Sequence, residues 1–131
     1  MSYEFTLTET IPATPQAVYA AWLDSAGHTG MTGGKAEMSA QPGAGYTAWD
    51  GYISGKNLEL APGQRIVQSW RTTQFPEAHG DSKITVTLTP VEGGTLLKLV
   101  HSDVPDGQTS YEKGGWQTHY FEPMKRYFSK P

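Results

Sequence analysis

The sequence predicts an α+β fold in which a curved antiparallel sheet of six or seven strands wraps around a long C-terminal helix, with short helices after the first strand. Three observations point to it. From residue 35 to residue 102 apolar residues recur with a period near two, and Pro-Gly and Gly-Gly pairs punctuate the pattern. Helical spacing of three and four is confined to the stretches after Thr14 and after about Thr109. Strands therefore run together between helices instead of alternating with them, which argues against a parallel α/β sheet.

The elements follow in order. Tyr3, Phe5 and Leu7 alternate with Glu4, Thr6 and Thr8 as a half-buried first strand, ended by Ile11-Pro12-Ala13. Thr14 is placed to cap a helix, and Pro15 at its first position loses no bond by lacking an N–H. Val18, Ala21 and Trp22 form its buried stripe. Asp24 to Gly34, rich in Gly and Thr, reads as a short, loosely helical segment followed by loop.

A weak strand is expected from Glu37 to Ala40, then a turn at Pro42-Gly43. Strands follow from Tyr46 to Trp49 and from Tyr52 to Leu60, with Gly55 as a bulge or bend. Pro62-Gly63 suits a type II turn into a long strand from Arg65 to Thr72. After a loop from Pro76 to Asp81, Ile84, Val86 and Leu88 alternate with threonines, and Glu92-Gly93-Gly94 turns the chain. The last strand, Thr95 to Ser102, puts Leu97, Leu99 and His101 on one face and Leu96, Lys98 and Val100 on the other.

Beyond Pro105 and Gly107, Trp116, Tyr120, Met124, Tyr127 and Phe128 recur at helical spacing from about Thr109 to Ser129. Pro123 inside this helix predicts a kink or a break, because its ring clashes with the carbonyl of His119. This helix is long enough to cover the concave face of a twisted sheet.

At 131 residues the chain fits a single domain spanning 1–131, large enough to bury roughly two-thirds of its unfolded surface. It contains no cysteine, hence no disulfide, thiolate nucleophile or cysteine zinc site. The formal charge is −3 with both signs mixed and no basic block, which gives nucleic-acid binding little electrostatic support. No apolar run approaches the ~18 residues of a membrane span. The first residues, Met-Ser-Tyr-Glu-Phe-Thr, lack the basic and apolar regions of a signal peptide, so a cytoplasmic location is expected.

Histidines 28, 79, 101 and 119 form no pair at metal-ligand spacing, so neither metal nor cofactor is expected. No Gly-x-Ser-x-Gly elbow and no phosphate-cradling glycine loop occurs. His101, beside Leu97 and Leu99 on an inward face, is either a donor to a ligand or a histidine satisfied by a backbone carbonyl near a cavity rim. Trp70 shares its face with Ile66 and Gln68 and is either a pocket wall or core. Gln68 either orients a ligand or pairs with a polar neighbour such as His101. Trp116, Tyr120 and Met124 make the inner stripe of the last helix. Tyr46 and Trp49 fall on opposite faces of one strand, so one of them is expected at the surface or under a partner.

Several of these residues also carry a resemblance. Gly51, Ser54, Gly55, Leu60, Pro62, Ile66, Val67, Trp70 and Arg71 resemble the signature hairpin of the domain that closes the heat-shock protein 90 ATPase activator. Pro15, Val18, Trp22 and Leu23 are similar to its helix opening, and Pro76, Glu77 and His79 to the loop after the hairpin. Gly94, Thr95 and Leu97 resemble its last hairpin, and Val104 and Pro105 the link that follows. Gly115, Trp116, Gln117, Tyr120, Phe121 and Glu122 resemble its Gly-Trp-Gln-x-x-Tyr-Phe-Glu run.

The resemblance covers nearly the whole chain and implies the helix-grip fold of the START-like (SRPBCC) superfamily. Many members of that superfamily hold an apolar molecule between helix and sheet. Met31, among Gly27, Gly30, Gly33 and Gly34, lies where the family has an entrance loop, which implies a mobile gate. The two-domain activators carry a further N-terminal domain whose counterpart is not in this sequence.

The first functional expectation is a non-enzymatic binder of a small apolar or aromatic molecule. Its expected site is Trp70, Gln68, His101, Leu99, Trp116, Tyr120, Met124 and Met31. The alternatives are a module that docks on an Hsp90-type chaperone, as the resemblance implies, and a cyclase-like or hydrolase-like enzyme using His101. Monomer and homodimer both fit.

Overall fold

The computed structural model describes residues 2–108 and 110–129, so Thr109, the predicted start of the last helix, lies outside the described residues. Six strands, β1 (Ser2–Ile11), β2 (Gly45–Ala48), β3 (Ile53–Ala61), β4 (Arg65–Thr72), β5 (Ser82–Val91) and β6 (Gly94–Pro105), form one curved antiparallel sheet. Their order is β1-β6-β5-β4-β3-β2. Sequential hairpins build all of it except β1, which pairs with the last strand and closes the far edge.

Two helices, α1 (Pro15–Trp22) and α2 (Ser25–Thr32), connect β1 to β2. Thr14 Oγ1 accepts the Ala17 N–H at 3.1 Å and Pro15 takes the first turn, as predicted. The Asp24 carboxylate accepts the Gly27 N–H at 2.7 Å and starts α2.

The segment predicted as a weak strand from Glu37 to Ala40 is not one. Glu37 makes a single bridge to Thr47, with N–H···O distances of 2.9 and 3.0 Å. Beyond it side chains take the backbone groups a ladder would need. Met38 N–H donates to Ser25 Oγ at 2.8 Å, and Asn57 Nδ2 donates to the Ser39 and Gln41 carbonyls at 2.7 and 3.0 Å.

The bulge in β3 lies at Leu58, between the Asn57 and Glu59 pairings, and not at Gly55. Gly55 serves a close approach instead: a Cβ there would sit 1.9 Å from the Ser69 carbonyl oxygen and 2.9 Å from the Tyr46 ring. Tyr46 uses that space to cross the strand and donate to Ser69 O at 2.7 Å.

The C-terminal helical region has two irregularities. At Lys113 and Gly114 the backbone leaves the helical region, with Gly114 at φ 141°. Around this break the bonds are five residues long, Gly115 N–H to Ser110 O and Trp116 N–H to Tyr111 O. Wide turns continue through Gln117–Phe121, where Glu122 N–H reaches Gln117 O, before α3 (Glu122–Ser129). The distortion expected from Pro123 is thus taken up in the turns just before it. Without an N–H to offer the His119 carbonyl, the chain shifts to five-residue spacing.

The core lies between the concave face and the helices. One row across the sheet runs Gln68, Ile84, His101, Phe5, and the next runs Ile66, Val86, Leu99, Leu7. Trp22, Trp116, Tyr120, Phe121 and Met124 are buried in the same cluster. Among the described residues no helix is long and apolar enough to cross a membrane.

Candidate functional site

A cavity of about 640 Å³ opens where the β2–β3 turn and the end of β4 meet the broken start of the C-terminal helix. The sheet side contributes Trp49, Tyr52, Ile53 and Trp70, and the helical side contributes Ser110, Tyr111, Lys113, Gly114, Gly115, Trp116, Thr118, His119 and Tyr120. Trp116 sits at the centre of the aromatic wall, 5.5 Å from Trp70 and 4.9 Å from Tyr120 between ring centroids. Tyr111 meets Trp70 edge to face at 5.2 Å. The helix break at Gly114 lies on the rim, so the local backbone that opens the helix also shapes the pocket mouth.

Of the expected site residues, Trp70, Trp116 and Tyr120 line this cavity. The other five do not: two are held in buried hydrogen-bond networks and three are buried.

His101 contacts Trp70 and Trp116, which do line the cavity, at ring distances of 4.7 and 5.8 Å. Trp116 Nε1–H donates to His101 Nδ1 at 3.2 Å. An indole nitrogen is only a donor, so Nδ1 is the acceptor and the proton sits on Nε2. Nε2–H then donates to Ser82 Oγ at 2.8 Å, and Ser82 Oγ–H to Trp70 O at 2.5 Å. Burial lowers the imidazole pKa to about 3, so the ring is neutral. Its partner is a side-chain hydroxyl, not a backbone carbonyl, and both its nitrogens are engaged within the protein.

Gln68 is likewise satisfied, though not by His101. Its Oε1 accepts from Trp22 Nε1 at 3.1 Å and its Nε2 donates to Asn57 Oδ1 at 2.9 Å. Asn57 in turn holds the Ser39 and Gln41 carbonyls. This chain ties α1 to β4, β3 and the loop before β2.

Leu99 and Met124 are fully buried in the core. Met31 is 2% exposed within α2, Gly33 is the left-handed C-cap of that helix with open space around it, and Gly27, Gly30 and Gly34 are packing positions. A Cβ on Gly27 would lie 2.9 Å from Ala21 Cα, one on Gly30 3.0 Å from the Tyr127 ring, and one on Gly34 2.4 Å from the Trp49 ring.

His28 was assigned no role by sequence pattern. Its Nδ1–H donates to Trp22 O at 2.8 Å, which leaves Nε2 to accept from Tyr120 Oη–H at 2.8 Å. Burial lowers the His28 pKa, outweighing the opposing effect of the Trp22 carbonyl, and pushes the Tyr120 pKa well up. A neutral histidine therefore orients the phenol of a cavity-lining tyrosine.

Trp49 departs from the expected strand alternation. It lies just past β2 with φ 51°, followed by Asp50 at 59° and Gly51 at 90°. The left-handed turn swings the indole out of the strand pattern and into the cavity wall, where it meets His119 edge-on at 5.3 Å. Tyr46, its predicted counterpart on the other face, is buried. The Trp49 indole N–H is sealed from water and has no partner among the described residues.

Tyr111 was also missed by sequence pattern. It stands five residues before Trp116, outside the spacing of three or four, because the helix breaks between them. The Gly114-Gly115 pair was the signal for that break. Tyr111 Oη donates to Gln108 Oε1 at 2.7 Å and lies 3.0 Å from Thr72 Oγ1, while burial pushes its pKa up to about 12. No cluster of three or more metal-binding side chains occurs among the described residues.

Comparison with known proteins adds to this geometry. A family model described as activator of Hsp90 ATPase homolog 1-like protein matches residues 12–129. A human protein, activator of 90 kDa heat shock protein ATPase homolog 1, is 30% identical over 95% of this chain and 37% of its own length. The chain thus spans little more than a third of that curated relative. A solved HSP90 activator from Plasmodium falciparum superposes with a TM-score of 0.87 at 25% identity, covering 98% of each chain. An Aha1 dimer from Colwellia psychrerythraea shares the fold, with a TM-score of 0.79 at 16% identity over 96% of each chain.

Proposed function

The chain belongs to the activator of Hsp90 ATPase homolog 1-like family, with its SRPBCC-type fold, and from that starting point we propose that it binds a small apolar, aromatic-rich molecule between sheet and C-terminal helix. The observation that carries this reading is the cavity itself. Its volume of about 640 Å³ lies within the ~300–1,000 Å³ range of small-molecule sites. Aromatic rings dominate its walls and a few polar groups converge at the mouth, as such sites require. The wall is held by the core: Trp116 is fixed by its bond to His101, and Tyr120 by its bond to His28.

Titration with 1-naphthol, read by quenching of tryptophan fluorescence and by isothermal calorimetry, tests this reading. Saturable binding that weakens at least tenfold in Trp70→Ala supports it. Unchanged affinity in that variant removes Trp70 from the site, and no binding of 1-naphthol or similar small aromatics counts against the cavity as a ligand site.

A second reading rests on a separate observation. The relatives named above are called activators of the Hsp90 ATPase. Docking on an Hsp90-type chaperone is therefore proposed as an alternative role, and neither role excludes the other. A pull-down with purified Hsp90 that recovers none of this chain argues against docking.

A further inference from the structure

Polarity is distributed unevenly in the cavity. Trp70, Trp116 and Tyr120, which form its deep wall, are 2–4% exposed. Lys113 and His119, at its mouth, are exposed. None of the described lining residues is acidic, although the chain as a whole carries a formal charge of −3.

Lys113 sits at the helix break, with φ −91° and ψ 18°, beside Gly114 at φ 141°. Its ammonium makes no ion pair among the described residues. His119 is steadied edge-on against Trp49 at 5.3 Å and carries at least one ring N–H in any tautomer. The hydroxyls of Ser110 and Thr118 lie on the same lining.

From this we infer the chemical class of the occupant: a flat aromatic molecule bearing a carboxylate, with its ring stacked among Trp70, Trp116 and Tyr120 and its carboxylate at the Lys113–His119 mouth. The inference rests on the ligand-binding reading above and goes further by fixing charge and orientation. Aromatic faces favour a planar π-system over a flexible chain. A cationic rim with no opposing carboxylate among the described residues favours an anion, and leaving the head group at the mouth keeps it partly hydrated, so little desolvation opposes the pairing. Charge-assisted bonds from an ammonium and a ring N–H are the strong kind for a carboxylate.

The test uses a matched pair of probes, biphenyl-4-carboxylate and biphenyl-4-carboxamide, titrated into the full chain at low and at high salt. The expected result is a carboxylate preference of about fivefold or more at low salt that shrinks as salt screens the rim. Lys113→Gln should reduce the preference to less than about twofold, Lys113→Arg should restore most of it, and Lys98→Gln on the opposite sheet face should leave it intact. Lys113 is exposed, so its replacement does not threaten the fold. Equal binding of the two probes overturns the charge assignment while leaving the ligand-binding reading in place. A preference that survives in Lys113→Gln also overturns it. If neither probe binds, both this inference and the reading beneath it fall.

Discussion

The indole N–H of Trp116 donates to Nδ1 of His101 across 3.2 Å, and this bond joins the cavity wall to the core of the sheet. It sets the tautomer of His101, which passes the order on through Ser82 to the carbonyl of Trp70 on the neighbouring strand. Two tryptophans that face the same cavity are thus connected through one neutral imidazole. A cavity whose aromatic walls are held in this way is pre-organised, which would reduce the ordering cost of the proposed ligand binding.

A pH dependence of stability follows. The folded-state pKa of His101, about 3, lies below the ordinary value of 6.5, so the unfolded chain binds more protons between those values. Stability from this group is fully present above about pH 6.5 and is lost as pH falls toward about 3, at up to ~1.4 kcal/mol per pH unit. His28, also lowered by burial, acts in the same direction. Urea unfolding at pH 7 and pH 4.5 should show the acid loss, and His101→Gln should flatten it. Long-range ¹H–¹⁵N correlation at pH 5 should find His101 neutral with the proton on Nε2. A charged ring at that pH would refute the tautomer chain.

Two glycine substitutions should differ in their effects. Gly55→Ala drives a methyl into a backbone carbonyl at 1.9 Å, which neither strand can yield without losing its register. A loss of about 3 kcal/mol or more is expected in chemical unfolding. Gly34→Ala instead meets the Trp49 ring at 2.4 Å, a side chain that can be pushed toward the cavity. Its stability loss should be smaller, and its clearest effect a weakened affinity for aromatic probes. Equal stability losses with normal binding would contradict this reading of Trp49.

Removal of the Gln68 amide should be costly although no charge is involved. Gln68→Leu keeps the volume but strands the Trp22 N–H and the Asn57 Oδ1 in the core. Buried groups left unpaired cost ~1–3 kcal/mol each. Trp22→Phe opens space in the core and costs stability by itself, but it should cost less in the Gln68→Leu background than in the unaltered chain, because there it removes a stranded donor. Strictly additive losses in that double-mutant cycle would show that the bond between Trp22 and Gln68 contributes little.

The fold was legible because its signals are local and repeated. The alternation of Ile84, Val86 and Leu88, the Thr14-Pro15 cap and the turns at Pro62-Gly63 and Gly93-Gly94 each fix an element from a few neighbouring residues. Three of the eight expected residues, Trp70, Trp116 and Tyr120, lie on the cavity wall for the same reason, since they declare their faces by strand and helix period. The rest depended on breaks in period. Trp49 enters the wall through three successive positive φ angles, and Tyr111 through the break at Gly114. Polar partners were the least legible. His101 and Gln68 face inward as the pattern says, but which partners they take is decided by side chains 11 to 46 residues away in sequence.

Native mass spectrometry of the purified protein, set beside its denatured mass and repeated with 1-naphthol and biphenyl-4-carboxylate added, is the most direct test of a ligand-binding cavity. A reproducible extra mass that is lost on denaturation, or a one-to-one adduct with an added probe that Trp70→Ala abolishes, is the expected result. A bare mass together with no adduct from either probe would contradict the ligand-binding role and leave chaperone docking as the function to pursue.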